Sequence, residues 1–255
     1  MPGRIQSIER AAAILRLLSG RSRRLGVGEL SGELDLPKGT VHGILRTLQS
    51  VGFVEQDSDS GKYQLGPALL HMGSSYLDGN ELRRRALNWA DALATQTGES
   101  VRIGTLHDYQ VLIVHHVIRP EDSHRAPEVG ALMPAHATAL GKALLARHAW
   151  VAGELAGRSL LRRYTPATVT DVYRLRQELE DAARRGWASE IGELYSGRAS
   201  IAAPIEDRRR LTVGAIGITG SVERLCEGDR VQPQLVEHVV AAARGVSREL
   251  GARPW

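Results

Sequence analysis

At 255 residues the chain has room for one large or two modest domains, and a 42% hydrophobic content supports real cores. No run approaches the ~20 apolar residues of a membrane helix. The N-terminal MPGRIQSIER lacks the apolar stretch of a signal peptide, and the single Cys226 excludes an internal disulfide framework and fits a reducing cytoplasm. A net charge of +4 permits nucleic-acid binding without establishing it, while a single Phe leaves no aromatic platform for stacking single-stranded bases.

Residues 7–18 repeat apolar positions at Ile8, Ala11, Ala12, Leu15 and Leu18, which predicts a first helix with Ser7 as N-cap and Gly20 as stop. Arg10 stands where a capping box needs an acid, though Glu9 suits the helix dipole. A second helix is predicted over 27–34, after which Pro37 forces a turn. A third, over 38–50, carries Val41, Ile44, Leu45 and Leu48 as one buried stripe. Beyond Gly52, an alternating run, the turn-forming Asp57-Ser58-Asp59-Ser60-Gly61 and a short run through Tyr63 and Leu65 predict a hairpin. Helix, tight turn, helix and hairpin make the plan of a winged helix-turn-helix, which lays its recognition helix in the DNA major groove.

Residues 67–77 look helical, with Leu69, Leu70, Met72 and Tyr76 as apolar positions, until Asp78-Gly79-Asn80 breaks the pattern. The expected organisation is therefore a DNA-binding domain over 4–66, a linker helix over 67–80 and a second domain over 81–255. The linker is more apolar than a domain edge requires, which points to packing against a second copy. Further on, a helix is predicted over 81–97 with Leu82, Leu87, Trp89 and Leu93 inward, and a hairpin over 100–118 turning at His107-Asp108-Tyr109. A polar loop over 119–130 and a helix over 138–149 come next. Thr170 is expected to cap a helix ending at Gly186. Strands over 201–205 and 211–219 flank the charged turn 206–210. A closing helix over 229–250 presents Val231, Leu235, Val239, Ala242 and Val246 to a core. Hairpins mixed with helices at the ends predict an α+β domain.

With the apolar stripe of the third helix inward, its outer face presents Lys38, Gly39, His42, Gly43 and Arg46, flanked by Thr40 and Thr47. Arg46 suits a guanine edge, and Thr40 or His42 a base or a phosphate. Gly39 and Gly43 each cost a helix interior roughly 0.5–1 kcal/mol relative to Ala, so two on one face suggest close approach to a surface such as a DNA backbone. Lys62 in the wing is placed to meet a phosphate. The bland alternative is a three-helix scaffold with a solvated polar face, or a module that docks to protein.

The segments SIERAAAILRLL, ELSGELDLPKGTVHGILRTL, SVGFVEQDSDSGKYQLGPALLHMG, MPAHATALGKALLA and ELYSGRASIAAPI resemble, in order and over the whole chain, the signature segments of IclR-type transcriptional regulators. Within that family the chain looks most like the glycerol-operon repressors of actinobacteria. The resemblance implies a winged helix-turn-helix, a linker helix at a dimer interface, a GAF-like effector domain, and dimers or tetramers on a palindromic operator. Two departures stand out. Gly39 and Gly43 replace the family's common Ser and Arg, which shifts base readout onto Thr40, His42 and Arg46. Ser200 replaces a frequent Cys.

By the same resemblance an effector pocket forms from Ala139, Leu140, Glu190, Ser200, Gly217 and Thr219. Small residues over 134–142 leave N–H groups at a helix start that suit an anion or a polyol oxygen. Ser200 and Thr219 offer hydroxyls to a small polar ligand. Glu190 accepts from hydroxyls but repels a phosphate unless offset, and Arg198, on the same strand face as Ser200 by alternation, is the offset at hand. A hydroxyl-lined, not strongly basic pocket and the resemblance together point to glycerol or glycerol 3-phosphate as inducer. A small carboxylate, sensed by a regulator of another carbon-source pathway, is the alternative.

The sequence offers no catalytic, metal or cofactor site. His115 and His116 point to opposite faces of a strand, His124, His136 and His148 lack ligand spacing, and Cys226 is isolated. Leu140-Gly141-Lys142-Ala143 lacks the Ser or Thr of a phosphate loop. No carboxylate pair suits acid–base work, and Ser200 lies in no nucleophile elbow. The runner-up from another class is a small-molecule hydrolase or sensor enzyme on the second domain, recognisable by consumption of its ligand.

Overall fold

The computed structural model describes residues 5–20, 24–119, 128–148, 151–158 and 160–252. It forms two compact units, Met1–Gly79 and Asn80–Trp255.

The N-terminal unit contains α1 (Gln6–Leu18), α2 (Val27–Leu34), α3 (Lys38–Ser50), β1 (Val54–Gln56), β2 (Tyr63–Leu65) and α4 (Pro67–Gly79). Strands β1 and β2 pair antiparallel, and Leu25 exchanges both backbone hydrogen bonds with Tyr63 to add a bridge. Ile14, Leu18, Leu30, Val41, Leu45, Leu48, Val54 and Tyr63 form the core, drawing on every helix of the trio and both strands. Asp35, left-handed at φ 51°, and Pro37 turn α2 into α3. In α1 the expected cap is absent. Ile5 takes the N-cap position without a side-chain hydrogen bond, Ser7 lies inside the helix, and Ile14 rather than Ile8 is buried. Ala11 and Leu15 pack against the core only in part, because the helix meets α2 and α3 along one edge.

The C-terminal unit contains α5 (Glu81–Thr97), β3 (Ser100–His107), β4 (Gln110–Val117), β5 (Leu132–Pro134), α6 (Ala139–Leu145), α7 (Val151–Gly157), α8 (Val172–Arg185), β6 (Ala188–Ile191), β7 (Arg198–Glu206), β8 (Thr212–Ser221), α9 (Val222–Leu225), β9 (Cys226–Glu227), β10 (Arg230–Val231) and α10 (Pro233–Glu249). A six-stranded antiparallel sheet runs β5-β4-β3-β8-β7-β6, with α5 and α10 against it and α6 packed on β6, β7 and β8. One core cluster joins α6, α7 and α8 to the small side chains Ala202 and Ala215 of the sheet.

Several expectations shift by a residue or a side chain. Asp171, not Thr170, caps α8, its carboxylate accepting from the Arg174 N–H at 2.8 Å. The inward face of α5 is Leu82, Ala86, Ala90 and Leu93, because the helix lies close enough that only alanine fits between the leucines; Leu87 and Trp89 are half-buried. Glu206 belongs to β7, buried, with its carboxylate on Arg147 at 2.6 Å. The closing helix begins at Pro233, where a missing N–H costs nothing, and Val231 lies in β10 before it. The short β5, β6 and α7 were not anticipated. Of the polar loop 119–130 and of His124, the part over 120–127 lies outside the described residues. Among the described residues no helix is long and apolar enough to cross a membrane.

Candidate functional site

Helix α3 divides as its periodicity predicts. Val41, Leu45 and Leu48 are buried, Ile44 is half-buried, and Lys38, Gly39, His42, Gly43, Arg46 and Thr47 are exposed, with Thr40 half-buried beside them. A Cβ built on Gly39 or Gly43 would meet nothing within 4 Å, so packing inside the protein does not demand glycine at either position. The first turn of α3 holds no acid and carries Lys38. A cation at the positive end of a helix dipole disfavours the free helix and favours an anion docked there. Thr47 donates its hydroxyl to the Gly43 carbonyl at 3.1 Å, so it faces outward as an acceptor only.

The wing is braced. Arg24 reaches Asp57 at 2.7 Å and Gln64 at 2.9 Å, and Asp57 in turn accepts from the backbone and hydroxyl of Ser60. Lys62 pairs with Glu29 of α2 at 3.2 Å. The Lys62 charge therefore ties the wing to α2 and is half compensated before any phosphate arrives.

In the C-terminal unit, Ala139, Leu140, Glu190, Arg198, Ser200, Gly217 and Thr219 all line one cavity of about 30 Å³. Its floor is the strand face on which Ser200 pairs across to Thr219 and Gly217 to Ala202. Gly217 is required: a Cβ would fall 2.4 Å from the Ile201 carbonyl oxygen. Glu190 is buried, and its two oxygens accept from the Ser200 hydroxyl at 2.6 Å and the Glu193 N–H at 2.9 Å. Burial pushes its carboxyl above the ordinary carboxylate value, against the pull of those hydrogen bonds. Thr219 donates to the Ala199 carbonyl at 3.3 Å. The hydroxyls of Ser200 and Thr219 thus turn oxygen lone pairs, not hydrogens, to a ligand. At the helix start, Thr138 caps α6 by accepting from the Gly141 N–H at 3.2 Å, which occupies one of the donors expected for a ligand.

Sequence reasoning missed two features of this region. Arg102 of β3 also lines the cavity, which makes the lining more basic than expected. It pairs with Glu128 at 2.5 Å; the only sequence signal was a lone Arg between Val101 and Ile103. Lys142 is buried at 2% exposure and is held by Glu193 and, at 2.6 Å, by Glu178 of α8. Burial pushes the Glu193 carboxyl up and the Lys142 charge opposes that rise. Because the Glu193 N–H also holds Glu190, the Lys142 cluster sets the geometry of the cavity's acidic wall.

His136, also buried, directs Nε2 to the Arg162 carbonyl at 3.0 Å, so that nitrogen carries the proton; burial pushes its pKa down. Cys226 is buried, and burial raises its thiol pKa.

Comparison with known proteins places this geometry among relatives. Residues 7–58 match the IclR helix-turn-helix domain, and residues 74–248 match the bacterial transcriptional regulator IclR C-terminal domain. The chain is 54% identical over 252 residues to the glycerol operon regulatory protein of Streptomyces coelicolor, covering 99% of each, and 51% identical over 254 residues to that of Streptomyces griseus, again covering 99% of each. The crystal structure of an IclR transcriptional regulator from Alicyclobacillus acidocaldarius superposes with a TM-score of 0.79 at 27% identity, covering 97% of this chain and 98% of that one.

Proposed function

The chain belongs to the IclR family of bacterial DNA-binding transcriptional regulators, and on that premise we propose that it represses a glycerol catabolic operon in the cytoplasm and releases its operator when glycerol or glycerol 3-phosphate binds. The observation that carries the reading is the end-to-end identity with the two Streptomyces glycerol operon regulatory proteins. In this reading residues 4–66 bind the operator, 67–80 link, and 81–255 bind the effector. Lys38, Gly39, Thr40, His42, Gly43, Arg46, Thr47 and Lys62 meet DNA, with Arg46 reading a base and Lys38 and Lys62 a phosphate. Ala139, Leu140, Glu190, Arg198, Ser200, Gly217 and Thr219 meet the effector.

Self-association completes the proposal. No residue of α4 is buried, and Leu70, Met72 and Tyr76 are exposed at 75%, 55% and 54%. A second copy covering that surface gives a homodimer, or a tetramer built from two such dimers, matched to a palindromic operator. The effector then shifts the population between operator-competent and operator-incompetent assemblies.

The test is an electrophoretic mobility shift on DNA from upstream of the glycerol catabolic genes, at two salt concentrations, with and without each compound. Tight binding that weakens steeply with salt and is lost with one compound is expected. Affinity no better than for unrelated DNA overturns the operon assignment, and insensitivity to both compounds overturns the effector.

A further inference from the structure

The cavity has two unlike walls. One is rich in acceptors: the Glu190 carboxyl oxygens, which accept from Ser200 and Glu193, and the Ser200 and Thr219 hydroxyls, whose hydrogens are already directed elsewhere. The other is lined by Arg102 and Arg198. Arg102 extends from the middle of the sheet, opposite Gly217 on β8 and His116 on β4. Its Nε lies 2.5 Å from the Glu128 carboxylate, an ion pair without hydrogen-bond geometry, with both side chains mostly buried. A guanidinium has five N–H donors in a planar fork, so a single contact at Nε leaves most of its capacity for a second acceptor.

Glu128 is held twice. Its carboxylate is on Arg102 and its N–H donates to His116 Nδ1 at 3.2 Å. It also opens a turn closed by the Ala131 N–H on the Glu128 carbonyl at 2.8 Å. That turn leads directly into β5, whose Met133 lines the cavity. A volume of about 30 Å³ holds a single water, so any organic ligand has to move a wall.

We infer that Arg102 receives the anionic group of the effector, and that Glu128, which pairs with Arg102 without itself lining the cavity, is the internal carboxylate that the effector's anion displaces. This rests on the reading of the cavity as the effector site and narrows it to one class, a small polyol phosphate monoester. A phosphate brings more charge than a carboxylate and pairs bidentately with a guanidinium, and Arg198 adds a second cation to the same wall. The ligand's hydroxyls donate to the acceptor wall. Burial is the main penalty on the Arg102 cation, Glu128 offsets it and Arg198 adds to it, so the pair of arginines gains from a dianion. Exchange of Glu128 for ligand releases the turn before β5 and lets the Met133 wall move.

The experiment is calorimetric titration of the full-length protein with glycerol 3-phosphate, inorganic phosphate and glycerol, in the wild type, Glu128→Gln, Arg102→Gln and the double variant, with operator binding measured alongside. Removing the internal competitor in Glu128→Gln is expected to tighten both anions by about tenfold or more, the scale of one charge-assisted hydrogen bond, and to leave glycerol unchanged. Arg102→Gln and the double variant lose that gain. The double variant, which removes both charges of the pair, controls for misfolding caused by an unpaired Glu128. Anions bound no more tightly by Glu128→Gln than by wild type, or by neither, overturn the inference. Release of operator by glycerol alone overturns it while the regulatory reading stands. Anion binding with the expected pattern but no effect on operator overturns the regulatory reading and leaves the Arg102 exchange intact.

Discussion

In the N-terminal unit the candidate contact residues share one face of α3 and the edge of a wing, and most are exposed. In the C-terminal unit the cavity residues come from α6, β6, β7 and β8, with Arg102 added from β3, and Glu190, Ser200, Thr219 and Arg102 are already hydrogen-bonded or ion-paired within the protein. Apart from Lys62, which is paired with Glu29, the first surface is free to be changed residue by residue, since little in the fold depends on it. The second is part of the scaffold, so altering its chemistry alters its stability. The two regions should therefore answer mutation in different currencies: affinity without stability in the first, both together in the second.

The hardest test of that contrast is Lys142→Met. It leaves Glu193 as a buried carboxylate without its cation, and breaking a buried pair from one side costs about 3–5 kcal/mol. Chemical denaturation should show that loss in the C-terminal unit, and adding Glu193→Gln should recover part of it. An unchanged midpoint would mean that the buried cluster is not structural. Arg46→Ala is the opposite case. Its side chain is exposed, so stability should stay within about 0.5 kcal/mol, while specific operator binding falls by about 1–3 kcal/mol. A footprint and affinity equal to wild type would remove Arg46 from base readout.

This contrast also explains what was legible in the sequence. The stripe Val41, Ile44, Leu45 and Leu48 has helical period, and period alone orients Lys38, His42 and Arg46 outward. The bounds of α2, α3 and α5 follow from Pro37, from the third helix's run and from Gly98. The cavity had no such rule: family resemblance, not pattern, brought Glu190, Ser200 and Thr219 together. Arg102 and Lys142 escaped because each is a charge inside an apolar run, and only tertiary structure supplies Glu128, Glu178 and Glu193 as partners. The caps of α1 and α8 slipped because adjacent Thr170 and Asp171 are both good cap residues, and because α1 starts with none. The strands β5 and β6 are too short for alternation to register.

A pH titration sharpens the contrast further. His136 is buried, and that burial depresses its folded pKa below the ordinary imidazole value of about 6.5. The unfolded chain therefore binds the proton first, and stability that is complete above about pH 6.5 is lost as pH falls through the depressed folded value. His136→Gln should flatten that part of the curve for the C-terminal unit. A profile of the same slope in the variant would assign the acid sensitivity to other groups.

The smallest effect belongs to Lys62, and it probes the one place where the N-terminal unit resembles the other. Lys62 is exposed enough for DNA to reach, yet it is ion-paired with Glu29 and so helps fix the wing to α2. An exposed pair of this kind contributes little to stability, so Lys62→Ala should barely move the melting temperature. If the ammonium leaves Glu29 for a phosphate on binding, the variant loses affinity equally for every sequence, and the slope of log affinity against log salt falls by about one. Loss of Glu29 then separates the two roles. Glu29→Gln frees Lys62 and should tighten DNA slightly if Lys62 contacts phosphate, whereas a pure brace would make both variants weaken the wing alike. Equal salt slopes in wild type and Lys62→Ala would leave Lys62 as a brace, and the phosphate contacts of this unit would then rest on the start of α3.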